Sequence, residues 1–120
     1  MECFIGCSAL KKVNLSNWNT KNVTSMVGMF YNCEALQEID LSSFDTKNVK
    51  DFEWMFNGAT ALTKIYVGNN WNTENNTGKT KEVFPENCKL PNFSNTNESY
   101  RDLKWAYVGE GGYLSTKPSN

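Results

Sequence analysis

Apolar residues recur along the first half of the chain at a fixed interval of 26 positions. Phe4, Phe30 and Phe56 begin the series. The same interval relates further apolar columns: Leu10, Leu36 and Leu62; Val13, Ile39 and Ile65; Leu15, Leu41 and Val67; Met29 and Met55. Because so many columns keep one register, the pattern indicates repetition of a single structural unit.

The repeats predict two regions. Residues 1–71 hold three copies, at 4–29, 30–55 and, in part, 56–71. The third copy gains one residue before Trp71. Residues 72–120 hold a degenerate fourth copy at Val83–Leu90 and a C-terminal cap. The cap prediction rests on the apolar residues that follow the end of the repeats: Trp105, Tyr107, Val108, Tyr113 and Leu114.

Each copy predicts the same order of local structure. The stretch Leu10–Leu15 has the Leu-x-x-Leu-x-Leu form of a leucine-rich repeat, which predicts a strand with Val13 facing inward. A polar turn follows. Apolar residues from Val23 to Leu36, spaced by three and four, then predict a short strand or turn and one or two helical turns through Phe30.

Stacked units of this kind bury a continuous core that no single unit can bury alone. The predicted fold is therefore α/β: a short, right-handed leucine-rich-repeat-type solenoid with parallel strands, short helical turns and an irregular C-terminal cap.

Charge and composition exclude several functional classes. Lys and Arg total 12 and Asp and Glu total 13, so the net charge is −1. Nucleic acid and anionic membrane surfaces call for a basic excess, and neither is expected as a partner. The chain has no His, which removes His-based acid–base and nucleophilic catalysis and most zinc sites. No apolar run is long enough for a membrane span, and no signal peptide or anchor is recognisable.

Three cysteines share one repeat column. Cys7, Cys33 and Cys88 stand where the third copy has Ala59, which favours small, inert core residues over reactive thiols. A Cys7–Cys33 disulfide would require side chains that turn toward each other. Cys3 and Cys7 are too few ligands for a metal site without His. No metal or other cofactor is predicted.

The acidic residues of the second copy raise two further alternatives. Asp40 and Asp45 suggest the carboxylate pair of a hydrolase or, with Asp51 and Glu53, a calcium loop. The first copy does not repeat these charges. Asn19, Asp45 and Asn72 are instead expected to bond the backbone of their turns, beside Thr20, Thr46 and Thr73.

The outward strand positions form the candidate binding face. One column is Lys12, Glu38 and Lys64, and the second is Asn14, Asp40 and Tyr66. The two columns have two interpretations, a solvated face whose alternating charges pair with each other or a recognition surface of the stacked strands. Tyr66 favours recognition, because Tyr is common at binding hot spots. Trp54, which replaces Gly28 of the first copy, is either a contact residue or a plug.

Two segments resemble a known family. Leu41–Val49 and Met29–Leu36 resemble the 26-residue repeats of BspA-like bacterial surface proteins, and the segments 90–93 and 111–114 resemble the usual ending of such arrays. The resemblance implies a leucine-rich-repeat protein, cell-surface or secreted, that takes part in adhesion and binds host matrix or plasma proteins.

The predicted function is therefore a non-catalytic protein-binding or adhesion module of a bacterial surface protein. The alternative is a structural spacer or terminal cap of a longer array, and a carboxylate-dependent hydrolase is the remote one. Self-association is also expected through the apolar edge of the first copy, at Phe4, Leu10, Val13 and Leu15.

Overall fold

The computed structural model describes residues 6–15, 17–94 and 99–117 of the 120-residue chain. The expectations that involve Cys3 and Phe4 lie outside these residues. Four strands are present: β1 at Lys12–Asn14, β2 at Glu38–Leu41, β3 at Lys64–Val67 and β4 at Ser115–Thr116. A 3-10 helix spans Leu103–Trp105.

The four strands form one parallel sheet in the order β1-β2-β3-β4. Val13 pairs with Ile39, and Ile39 pairs with Ile65. These are the positions that the 26-residue interval aligns in the sequence. Ile39 and Ile65 are fully buried, so the inward side of the strands is the one that the apolar column predicts.

A stack of aromatic rings runs through the core from one copy to the next. Phe30 and Phe56 lie 5.8 Å apart between ring centroids, and their ring planes are nearly parallel, at 2°. Phe56 stacks in turn on Phe84 at 5.6 Å, and Tyr113 meets Phe84 edge-on at 5.1 Å. The degenerate fourth copy thus contributes its Phe to the column, and the cap closes the column with Tyr113.

The predicted helical turns are wrong. Residues 26–33 form successive turns instead, in which Met29 N–H donates to Met26 O and Cys33 N–H to Phe30 O. The third residue of each turn, Gly28 or Asn32, has a positive φ, at 62° and 58°. Such a residue interrupts a right-handed helix, because helical φ is negative.

Hydrogen bonds between copies replace the bonds of a helix. The N–H groups of residues 26, 28, 30 and 32 donate to the carbonyls of residues 51, 53, 55 and 57 at 2.8–2.9 Å. The N–H groups of this segment donate alternately within a turn and to the next copy. Stacking of the copies therefore provides the hydrogen-bond acceptors that a helix would provide internally. The predicted strand or turn near Val23 is a turn from Thr20, followed by an isolated parallel bridge between Ser25 and Asp51.

The C-terminal region joins the sheet through β4, which pairs with β3. Tyr113 and Leu114 are buried, and Trp105 packs on Tyr113 at 5.7 Å. Tyr107 and Val108, the other two apolar residues of the predicted cap, are exposed. Within the described residues, no helix has the length or the apolar character needed to cross a membrane.

Candidate functional site

The parallel register places six of the seven candidate residues in two rows on the outer side of the sheet. Lys12 pairs with Glu38, which pairs with Lys64. In the second row Asn14, Asp40 and Tyr66 are partners. Residues one apart on a strand face opposite sides, so both rows lie opposite the buried isoleucines.

A groove of about 390 Å³ crosses this side of the sheet. We call it the sheet groove. Five of the candidate residues line it, and Val13 and Lys117 complete it; the lining is Lys12, Val13, Asn14, Glu38, Asp40, Tyr66 and Lys117. Lys64 stands on the same side next to Tyr66 but is not part of the lining.

The row Lys12, Glu38 and Lys64 contains one ion pair among its described side chains. Lys12 Nζ lies 3.2 Å from Glu38 Oε2, and 74% of the Lys12 side chain is exposed. A pair so open to solvent contributes at most about 1 kcal/mol. Lys64 has no ion-pair partner among the described residues, and its Nζ lies 5.9 Å from the centre of the Tyr66 ring. One charge of the alternating row therefore remains available.

Asp40 is the most buried member of the face, at 8% exposure. Lys117 reaches from the residue after β4 across β3, and its Nζ lies 2.5 Å from Asp40 Oδ2. The other oxygen, Oδ1, accepts the N–H of Ser42 at 2.9 Å. Burial raises the pKa of Asp40, but the hydrogen bonds from Lys117 and Ser42 and the charge of Lys117 outweigh burial and lower it.

Lys117 is the charged residue of the groove that the sequence does not predict. It follows β4, whose pairing with β3 has no counterpart in the repeat pattern. The only sequence signal is a basic residue shortly after the apolar pair Tyr113 and Leu114, and that signal does not indicate a partner.

Tyr66 is half-buried, and its hydroxyl has no hydrogen-bond partner in the part of the chain that the structure describes. Its ring lines the sheet groove and lies 5.9 Å from the Lys64 ammonium. A tyrosine with an open hydroxyl and a partly exposed ring offers both apolar area and a hydrogen bond to a partner.

Trp54 does not line the sheet groove. It lies in the turn from Phe52 to Met55, at the position that Gly28 has in the preceding copy, and has a φ of 60°. Its ring is 6.1 Å from that of Tyr31, and 42% of the residue is exposed. A bulky residue in this backbone region costs roughly 1–3 kcal/mol. Trp54 is therefore neither on the strand face nor a core plug.

The turn residues behave as the sequence predicts. The side-chain oxygens of Asn19, Asp45 and Asn72 each accept the N–H two residues later, at 2.7–3.1 Å. Thr20 and Thr46 are buried and join successive copies, since their hydroxyls donate to Asp45 O and Asn72 O. These polar positions hold the stack together, which explains why Asn, Asp and Thr recur there.

The two carboxylates of the hydrolase alternative both accept hydrogen bonds. Asp40 is bonded by Lys117 and Ser42, and Asp45 accepts the N–H of Lys47. Among residues 6–15, 17–94 and 99–117, no group of three or more Cys, Asp or Glu is placed to hold a metal ion.

The described cysteines are free thiols. Cys33 and Cys88 are buried and Cys7 is partly exposed. Burial raises the pKa of Cys33, and it raises that of Cys88 to about 11. Neither thiol forms thiolate readily near neutral pH, in agreement with a column that accepts alanine.

One comparison with known proteins gives a match. The sequence model of a family described as "Mycoplasma protein of unknown function, DUF285" matches residues 1–98. Neither the curated proteins nor the solved structures give a match. The matched range includes β1, β2, β3 and the fourth copy.

Proposed function

The chain belongs to the DUF285 family, whose function is unknown, and we propose that it is a leucine-rich-repeat-type solenoid that binds a protein partner. The partner surface is the outer side of the parallel sheet, along the sheet groove and Lys64. The proposal includes the BspA-like character of the repeats, a location at the bacterial surface or outside the cell, and a role in adhesion to a host matrix or plasma protein.

The observation that carries the proposal is that the polar ends of Tyr66 and Lys64 have no partner among the described residues. Both stand on the outer side of β3, next to each other, and neither the phenol hydroxyl nor the ammonium has a hydrogen-bond or ion-pair partner among the described residues. If this face served only as a solvent-exposed surface, an ion pair between Lys64 and Glu38, its neighbour in the register, would stabilise the sheet. Tyr is enriched at binding hot spots, and a half-buried Tyr beside an available cation offers a partner both apolar area and a charge.

The extended form of the face favours a protein over a small ligand. Three in-register strands present two parallel rows of side chains, and stacked repeats commonly bind proteins on such surfaces. The outward side chains of the lining combine Tyr66 and the stems of two lysines with charged ends. This mixture of apolar and polar area is typical of protein interfaces.

We propose no catalytic step. Asp40 is bonded by Lys117 and Ser42, and Asp45 accepts the N–H of Lys47, so both carboxylates have a structural role that supports a non-catalytic module. The spacer alternative remains as the outcome in which the sheet face binds nothing.

A panel of immobilised, purified extracellular matrix and plasma proteins tests the proposal. We expect saturable binding to at least one of them and a loss of at least tenfold in affinity in Lys64→Glu. Lys47→Glu is the matched control, because it makes the same charge change at an exposed residue in a turn away from the strands. Equal loss in both variants, or no binding to any member of the panel, would support a spacer instead.

Self-association through β1 is a second candidate role. In the described part of the chain β1 pairs with β2 and stands at the end of the strand order, and Val13 is only partly buried. A strand at the end of a sheet is a common site of pairing with another chain. We expect a concentration-dependent dimer by light scattering that disappears when an additional repeat is fused ahead of β1. A monomer at all concentrations would exclude this role.

A further inference from the structure

A second groove, of about 400 Å³, lies between the fourth copy and the C-terminal region. We call it the cap groove. Its lining residues are Lys81, Glu82, Ser99, Arg101 and Asp102. None of them belongs to the sheet groove, and its volume falls within the range of small-molecule sites, roughly 300–1,000 Å³.

The described lining residues of the cap groove are all polar or charged, and their charges balance. Lys81 and Arg101 oppose Glu82 and Asp102. Two of these side chains are fixed by other contacts. Arg101 Nε donates to Phe84 O at 3.0 Å and its guanidinium lies 3.6 Å from Glu86, and Asp102 accepts the N–H of Lys104 and the hydroxyl of Thr80. The described residues therefore hold donors and acceptors in set positions.

An aromatic surface adjoins the cap groove through Glu82. Trp54 Nε1 donates to Glu82 Oε2 at 3.4 Å, so this carboxylate belongs to the groove and also orients the indole. The indole also contacts Tyr31, with 6.1 Å between ring centroids and 47° between ring planes. An exposed indole with two side-chain contacts therefore stands next to the lining.

Core packing does not explain Trp54. The preceding copy has Gly28 at this turn position, with almost the same φ, 62° against 60°. The ring reaches solvent and lies outside the buried core. A large side chain kept at a backbone conformation that favours Gly is a feature of binding and functional sites.

We propose that the cap groove and the Trp54 ring bind a neutral carbohydrate. The C–H face of a pyranose ring is apolar and packs on an indole, while its hydroxyls need donors and acceptors such as Glu82, Arg101 and Lys81. The two positive and two negative charges described in the lining balance, which suits an uncharged ligand. No apolar side chain is among the described lining residues, which disfavours a peptide that needs an apolar pocket for its anchor residue. This proposal does not depend on the sheet face.

Titration of the ¹⁵N-labelled chain with neutral oligosaccharides tests the proposal. The probes are di- to tetrasaccharides of glucose, galactose, mannose and N-acetylglucosamine. We expect at least one of them to give saturable shifts at the Trp54 indole N–H and at the amides of Lys81 and Arg101. Trp54→Gly should weaken this binding at least tenfold, and its spectrum identifies the Trp54 indole signal by its loss.

Two variants control for folding. Trp54→Asn keeps a residue that accepts positive φ, as at Asn32, and should also lose binding. Tyr107→Ala removes an aromatic residue of similar exposure, at 38%, outside both grooves, and should bind as the parent does. The absence of saturable binding to every probe, binding that survives loss of Trp54, or a preference for sulfated or sialylated sugars would overturn the proposal.

Discussion

Lys117 and Asp40 are joined across the sheet, 77 residues apart in sequence, by a contact of 2.5 Å between Nζ and Oδ2. Lys117 follows β4 and Asp40 lies in β2, so the contact passes over the intervening strand β3. The C-terminal segment is thus fixed to the same surface that we propose as the binding face.

Replacement of Asp40 by asparagine should reveal this contact through its dependence on pH. The amide oxygen of the new side chain can still accept the Ser42 N–H, but the charge is lost, so we expect a loss of about 1–3 kcal/mol at pH 7. The folded pKa of Asp40 is lowered. Its stabilisation is therefore present above the unfolded pKa, about 3.9, and is lost as pH falls through the folded pKa.

The measurement is the free energy of unfolding in urea between pH 7 and pH 2. The difference between parent and Asp40→Asn should be constant above about pH 5 and should shrink at lower pH. Lys117→Met should raise the pKa of Asp40 in an NMR titration. The substitution removes the hydrogen bond and the charge that lower this pKa, while the burial that raises it remains. A difference that does not change with pH would contradict the assigned ion pair.

Core and surface positions of one copy should differ strongly in their effect on stability. Leu36 and Ile39 are fully buried, whereas Gln37 is exposed. Leu36→Ala and Ile39→Ala should each cost about 2–5 kcal/mol, and Gln37→Ala should stay within about 0.5 kcal/mol. Denaturant unfolding checks the order. A larger loss for Gln37→Ala than for the other two would refute the inward assignment.

Reducing agent should leave the melting temperature within about 2 °C, because loss of a native disulfide would cost several degrees. The burial that raises the pKa of Cys88 to about 11 should also make its thiol slow to react with an alkylating agent at pH 8 until the chain unfolds. Cys33→Ala should cost no more than about 1 kcal/mol, since Ala59 fills the equivalent position. Rapid native-state labelling of Cys88 would argue against this account.

At position 54 glycine should be better tolerated than alanine. Both substitutions remove the contact with Tyr31, but only Gly adopts a φ of 60° without strain. Trp54→Gly should therefore be more stable than Trp54→Ala by about 1 kcal/mol. Thermal and urea unfolding measure the difference. The opposite order would show that the positive φ carries no cost at this turn.

The repeat interval predicts the sheet well because each aligned column has the same burial. Val13, Ile39 and Ile65 fall at paired positions of adjacent strands, and the outward residues follow from the alternation of a strand. The column of Cys33 and Ala59 predicts the buried thiol for the same reason.

The helical turns could not be separated from β-turns by spacing alone. Apolar residues three and four apart fit either structure, and the two residues at the third turn positions, Gly28 and Asn32, accept positive φ. The glycines at 28 and 58 were the signal that favoured turns. The ion pair between Lys117 and Asp40 could not be predicted from the sequence, because β4 lies outside the repeat register.

The most direct test of the central claim is the effect of Tyr66→Ala on the affinity for a matrix or plasma protein that the chain binds. Surface plasmon resonance compares it with Tyr107→Ala, an aromatic substitution outside the sheet face, after circular dichroism confirms that both variants fold. The account predicts at least a tenfold loss for Tyr66→Ala, as expected for a hot-spot tyrosine, and less than a twofold change for Tyr107→Ala. Unchanged affinity in Tyr66→Ala would contradict the assignment of the outer sheet face as the binding surface.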